Sequence, residues 1–134
     1  MARKRSKHPT ELELEILKVL WVRNPLPVRE VREALAAQGR PLAHTSLITT
    51  LNVMTDKGYV TRESAGRGYE FSPRLSHQEV SKGMVGDIVD RVFEGSSSAL
   101  LLSLLENDQL DAMEHAGLRA AIEKYREKET NDDE

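Results

Sequence analysis

Between His44 and Pro73 the chain carries a cluster of short hydrogen-bonding side chains, followed by two arginines. Thr45, Ser46, Thr49, Thr50 and Asn52 lie in a stretch that closes at Lys57-Gly58, and Arg62 and Arg67 come after it. Hydroxyl and amide groups can donate and accept hydrogen bonds, and a threonine methyl can pack on the methyl of thymine. Small side chains also let a backbone approach a duplex closely, and an arginine fork matches a phosphate. The chemistry these residues offer together is contact with double-stranded DNA. Thr45, Ser46, Thr49 and Asn52 suit base edges, and Asn52 could pair with adenine from the edge of the face. Val53 shares that arc. Lys57, Arg62 and Arg67 suit phosphates, and Arg67 also suits a minor groove. His44 reads equally as a phosphate contact or as a solvent-facing turn residue.

Such residues act only if an element holds them. Leu47, Leu51 and Met54 recur at helical spacing and leave Thr45, Thr49, Asn52, Val53 and Asp56 on the opposite arc, which predicts a helix from about His44 to Lys57, stopped by Gly58. Tyr59 to Ser64 and Tyr69 to Ser72 are β-rich and are joined by Ala65-Gly66-Arg67-Gly68, a hairpin signature with Arg67 at its tip. Two strands alone are marginal, so the hairpin must lean on helices. Upstream, Thr10 and Glu13 form a capping box that opens a first helix through Leu12, Ile16, Leu17, Leu20 and Trp21. Asn24-Pro25-Leu26-Pro27 ends it. Val28, Val31 and Leu35 mark a second helix that Gly39 stops. The order helix, helix, helix, hairpin is that of a winged helix-turn-helix over residues 1–74, preceded by a basic arm at residues 1–9.

Pro73 to Leu75 reads as the boundary to a second region, residues 75–134. Ser76 and Glu79 make another capping box, and Val80, Met84, Val85, Ile88, Val89, Val92 and Phe93 follow at helical spacing. Gly95-Ser96-Ser97-Ser98 breaks that helix. Ala99 to Leu105 is apolar except for Ser103; it is far too short for a bilayer and is expected to be buried in protein. A last helix spans Leu110 to Lys128, ahead of a disordered acidic tail from Thr130 to Glu134. Leu100, Leu101, Leu102, Leu104 and Leu105 point in nearly every direction around a helix, more apolar surface than three short helices can cover. Self-association through Met84, Ile88, Val92, Phe93, Leu100, Leu101, Leu104, Leu105, Leu118 and Ile122 would cover it. The fold class is therefore mainly α with a small β-hairpin, the second region being a three-helix dimerisation domain.

The totals narrow the function classes. The net charge of −3 conceals an asymmetry: residues 1–74 hold 13 Lys/Arg against 8 Asp/Glu, and residues 75–134 hold 6 against 14. A basic front and an acidic back suggest that the front alone meets a polyanion. An aromatic content of 4% argues against a base-stacking single-strand binder. The absence of cysteine excludes disulfides, thiolate metal sites and a cysteine nucleophile, and fits a cytoplasmic location. His8, His44, His77 and His115 show no metal-ligand spacing, and no glycine-rich phosphate loop or Ser/His/Asp arrangement is present. The basic N-terminus lacks the apolar run of a signal peptide. No cofactor or metal, no membrane association and no enzymatic activity are expected.

The quoted residues resemble the BlaI/MecI/CopY-type repressors, the penicillinase-repressor family. The resemblance rests on Glu15-Ile16-Leu17-Lys18-Val19-Leu20-Trp21, Val28-Arg29-Glu30-Val31, Ser46-Leu47-Ile48-Thr49-Thr50-Leu51, Lys57-Gly58-Tyr59-Val60 and Tyr69-Glu70-Phe71-Ser72-Pro73, and continues through Val92-Phe93-Glu94-Gly95 into the leucine-rich helix. It implies a homodimer that binds a palindromic operator and represses transcription. It also implies a sensor protease as a partner, whose signal leads to cleavage in the leucine-rich helix at Ser103-Leu104, where the family usually has an Asn-Phe-like pair. Val53 stands where the family typically has arginine, and the cysteine-rich tail of the copper-responsive relatives is missing. The alternative reading is a winged-helix protein-interaction module without sequence-specific DNA binding.

Overall fold

The computed structural model describes residues 8–107 and 109–132, with side chains as far as residue 128. Among the described residues nine elements follow one another: α1 (Glu11–Val22), β1 (Leu26–Pro27), α2 (Val28–Ala37), α3 (His44–Asp56), β2 (Val60–Ala65), β3 (Gly68–Pro73), α4 (His77–Val92), α5 (Ser97–Leu105) and α6 (Ala112–Asp132). The chain divides after Gly86 into two compact units. Residues 1–7 of the expected basic arm, residues 1–9, lie outside the described residues.

In the first unit local chemistry sets the start of α1 and the end of α3. Thr10 caps α1, its Oγ1 accepting from the Glu13 N–H at 3.2 Å while Glu13 Oε1 accepts from the Thr10 N–H at 2.8 Å. Gly58, at φ 80°, turns the chain out of α3 in a conformation that other residues enter only with strain. Ile16, Leu17 and Leu20 of α1, Val31 and Leu35 of α2, and Leu47, Leu51 and Met54 of α3 are all 0% exposed and form one core. That stripe is the one the 3.6-residue period selects.

The hairpin does lean on the helices, but through a third strand the sequence does not announce. Leu26–Pro27, expected only to end α1, pairs antiparallel with β3, Leu26 opposite Phe71 and Pro27 opposite Glu70. The sheet order is β1-β3-β2. Proline sits here without penalty because β1 is a two-residue edge strand. Val60, Phe71 and Leu26 on one sheet face complete the core.

The first unit also takes in the start of α4. Ser76 Oγ caps α4 by accepting from the Glu79 N–H at 3.0 Å. Trp21 Nε1 donates to the Leu75 carbonyl at 2.8 Å, and its ring meets that of His77 edge-on at 5.2 Å. Val80 and Met84 pack on the winged-helix core.

The second unit holds the end of α4 together with α5 and α6. Ser96 caps α5, accepting from the Ala99 N–H at 3.1 Å. The expectation that Ala99 to Leu105 is buried fails for the single chain: no residue of α5 is buried, and Leu102 is 56% exposed. Apolar residues all round a nine-residue helix exceed what its own unit can cover. A second correction concerns the tail. Thr130 to Asp132 continue α6 rather than standing as an irregular segment, while residues 133–134 lie outside the described residues.

Candidate nucleic-acid interface

The helix-turn-helix is set by backbone bonds at the turn. The Arg40 N–H donates to Leu35 O at 2.9 Å, and Arg32 Nε reaches from α2 to the Leu42 carbonyl at 2.8 Å. Ala43 then precedes α3 with no side chain able to cap it, and the first turn of α3 carries no acid. The N–H groups of that turn are left to outside acceptors, and the helix dipole favours an anion there.

With Leu47, Leu51 and Met54 buried, α3 turns Thr45, Ser46, Thr49, Asn52 and Val53 to the outside. His44 is exposed at the helix start, and Thr50 is half-buried at the margin. Two threonines have spent their protons. Thr49 Oγ1 donates to the Thr45 carbonyl and Thr50 Oγ1 to the Ser46 carbonyl, each at 3.0 Å. Toward a ligand they keep oxygen lone pairs and methyl groups. Val53, 42% exposed, lies one turn on from Thr49 and extends the apolar part of this polar face.

The wing stands beside α3 because of hairpin register. Ala65 pairs with Gly68, leaving Gly66-Arg67 as a two-residue turn with Gly66 at φ 62° in its first central position. That is the type II′ requirement for glycine. Opposed residues share a face, so Val60, Arg62 and Ser64 of β2 lie on one face with Phe71 and Tyr69 of β3. Near the base of the hairpin this face enters the core at Val60 and Phe71. Farther out it passes the core and meets α3: Arg62 Nη1 donates to Asn52 Oδ1 at 3.1 Å, with its guanidinium carbon 4.6 Å from the Tyr69 ring centroid. The opposite face carries Glu63 directly across from Glu70. Arg67 is exposed at the tip.

Lys57 is placed otherwise than its grouping with Arg62 and Arg67 anticipates. Its ammonium turns inward to Glu13, 3.0 Å from Oε2 and 3.2 Å from Oε1, and lies 5.5 Å from the Tyr59 ring centroid. The Glu13 side chain is 4% exposed and that of Lys57 24%. Releasing Lys57 to a phosphate would strand a buried carboxylate. It acts as a tether between the end of α3 and the start of α1.

Sequence spacing missed Glu13 and Tyr69 as partners in this arrangement. Tyr69 could have been found by counting back from the two-residue turn, which alone fixes which residues share a face with Arg62. The Glu13–Lys57 pair has no local signal.

The residues assigned to association are spread over both units. Met84 packs on the first unit's core. Ile88, Val92 and Leu104 are exposed, whereas Phe93, Leu100, Leu101, Leu105, Leu118 and Ile122 are half-buried. Ser103-Leu104 lies within α5, both residues exposed. Among the described residues no cluster of His, Cys, Asp and Glu could hold a metal ion, and no helix is long and apolar enough to cross a membrane.

Residues 9–124 match a protein family described as the penicillinase repressor. The chain belongs to that family. The chain is 25% identical to the penicillinase repressor of Bacillus licheniformis over 117 residues, 87% of this chain and 91% of the relative. It is 32% identical to the transcriptional regulator BlaI of Mycobacterium tuberculosis over 111 residues, 79% of this chain and 80% of the relative. The methicillin resistance regulatory protein MecI of Mammaliicoccus sciuri is 18% identical over 112 residues, 84% of this chain and 90% of the relative. In this penicillinase-repressor member the match covers the helix-turn-helix, the wing, α4, α5 and most of α6.

Proposed function

We propose that this chain is a DNA-binding transcriptional repressor that acts as a homodimer, each winged helix reading one half-site of a palindromic operator. The observation that carries the reading is the division of α3: Leu47, Leu51 and Met54 are wholly buried, while Thr45, Ser46, Thr49 and Asn52 are presented outward beside the arginine-bearing wing. A helix so divided fits the major groove with its outer residues at base edges, its uncapped first turn and His44 meeting a phosphate. Arg67 and the Arg3 to Lys7 arm meet backbone phosphates. Membership of a family whose relatives are named repressors and transcriptional regulators supports repression by occupying a promoter.

Dimerisation is supported by the apolar surface the second unit leaves uncovered, including Leu102, Leu104, Val92 and Met113. Linking two half-site readers raises effective concentration at the second half-site, so association and affinity rise together. Relief by a sensor protease at Ser103-Leu104 would require α5 to unwind locally, since a helical bond must become extended to enter a protease cleft. The site of action is the cytoplasm, with the DNA.

Gel shifts with mixed genomic fragments at low and raised salt test the reading, together with sedimentation of the free protein. A retained subset of duplexes at raised salt, bound by a dimer, is the expected result. A monomer that retards no duplex at low salt would overturn it and favour a protein-docking winged helix. Thr49→Ala should change sequence preference more than non-specific affinity; equal scaling of all sites removes Thr49 from base contact.

A further inference from the structure

Resting on the proposed reading, we infer that Arg62 is a positioning residue: it holds the Asn52 amide so that the Nδ2 end faces the groove, and so restricts the base pair that α3 reads at that point. The geometry is a chain of three side chains from two elements. Tyr69 supports the Arg62 guanidinium from below at 4.6 Å, and Arg62 Nη1 reaches Asn52 Oδ1 at 3.1 Å. A guanidinium has donors and no acceptor, so the amide atom that meets it must be the oxygen. The amide is planar, and fixing its oxygen toward the wing sends its nitrogen the other way.

An unheld asparagine favours adenine, donating to N7 while its oxygen accepts from the N6 amino group. Here the oxygen is aimed at the wing. What remains for a base edge is a donor pair, suited to guanine O6 and N7 or thymine O4. The hydroxyls of Thr49 and Thr50 are already donating to their own helix. The Asn52 amide is therefore the principal side-chain donor on the middle of this face, and its orientation matters more than it would among free hydroxyls. Arg62 differs in this from Arg67, which is exposed at the hairpin tip and suits a phosphate or a minor groove.

The test is selection of duplexes from a random pool by the full-length protein, its Asn52→Ala, Arg62→Ala and Arg62→Met variants, and the Asn52→Ala/Arg62→Ala double variant. Melting curves confirm folding, and Arg62→Met keeps an apolar stem over Tyr69 should Arg62→Ala disturb the wing. The wild type is expected to select guanine or thymine at one position per half-site and to lose about tenfold in preference there on Asn52→Ala. Both Arg62 variants should admit adenine at that same position, and the double variant should lose no more preference than Asn52→Ala alone. Arg62 variants that weaken all sequences equally, lower the salt slope by about one and leave the base preference intact would overturn the inference and make Arg62 a phosphate contact. An Asn52→Ala profile identical to wild type also overturns it. A wild type that enriches no sequence overturns the DNA-reading function itself, an outcome distinct from the other two.

Discussion

The two units use their apolar residues in opposite ways. In the first, Ile16, Leu17, Leu20, Val31, Leu35, Leu47, Leu51 and Met54 converge from three helices until none is exposed, and a small sheet closes the remaining side with Leu26, Val60 and Phe71. In the second, Val89 is the one buried hydrophobic residue among those described, while Val92, Leu102, Leu104, Met113 and Tyr125 stand exposed. The leucine-rich helix is the most apolar element by sequence and among the least covered in the single chain. Burial follows from how many elements converge on a stripe, not from how apolar the stripe is. The first unit holds α3 in a fixed position, and the second leaves apolar surface exposed, which in the proposed homodimer a second copy would cover.

The largest expected effect separates the two kinds of apolar residue. Leu51→Ala should destabilise the first unit by about 2–5 kcal/mol in urea unfolding, because it opens a cavity among fully buried neighbours. A loss below about 1 kcal/mol would mean the α3 core is not closed as described. Leu104→Glu should leave monomer stability nearly unchanged yet weaken self-association about 100-fold or more, read by equilibrium sedimentation. A variant that unfolds instead would place Leu104 in a monomer core and erase the contrast between the units.

Smaller effects sharpen the contrast inside the first unit. Lys57→Met should cost about 1–2 kcal/mol of stability, since it strands the Glu13 carboxylate. Arg67→Ala should cost almost nothing in the same melt but reduce the salt dependence of DNA binding by about one unit. If the two variants behave alike in both assays, the tether and the phosphate contact have been wrongly distinguished. Smallest of all, Glu63→Lys replaces a like-charge cross-strand pair with Glu70 by an opposite-charge one, and should raise the melting midpoint by an amount equivalent to about 0.2–1 kcal/mol.

Much of this was legible in the residue order. The capping boxes at Thr10 and Ser76 mark helix starts that the structure keeps, and the Leu47, Leu51, Met54 stripe correctly assigns the inner and outer faces of α3. The hairpin also stands where Gly66 and Gly68 suggest, but its connection is shorter than the expected Ala65 to Gly68, because Ala65 and Gly68 pair and leave only Gly66-Arg67 as the turn. Strand β1 was not legible, because two residues beside a proline show no period and become a strand only by pairing with Phe71 and Glu70. The partners of Lys57 and Arg62 lie 44 and 10 residues away, beyond any helical or strand spacing.

By itself the sequence determined what is local: where helices begin, which of their sides are apolar, and where a glycine permits the chain to reverse. These depend on periods of two and 3.6 residues and on caps within one turn. Tertiary structure alone decided which cation reaches outward and which turns in, because that depends on the carboxylate, amide or ring another element brings alongside. The same packing set how far the apolar surface of each unit is covered, since coverage depends on the number of elements that meet there rather than on the residues of any one of them.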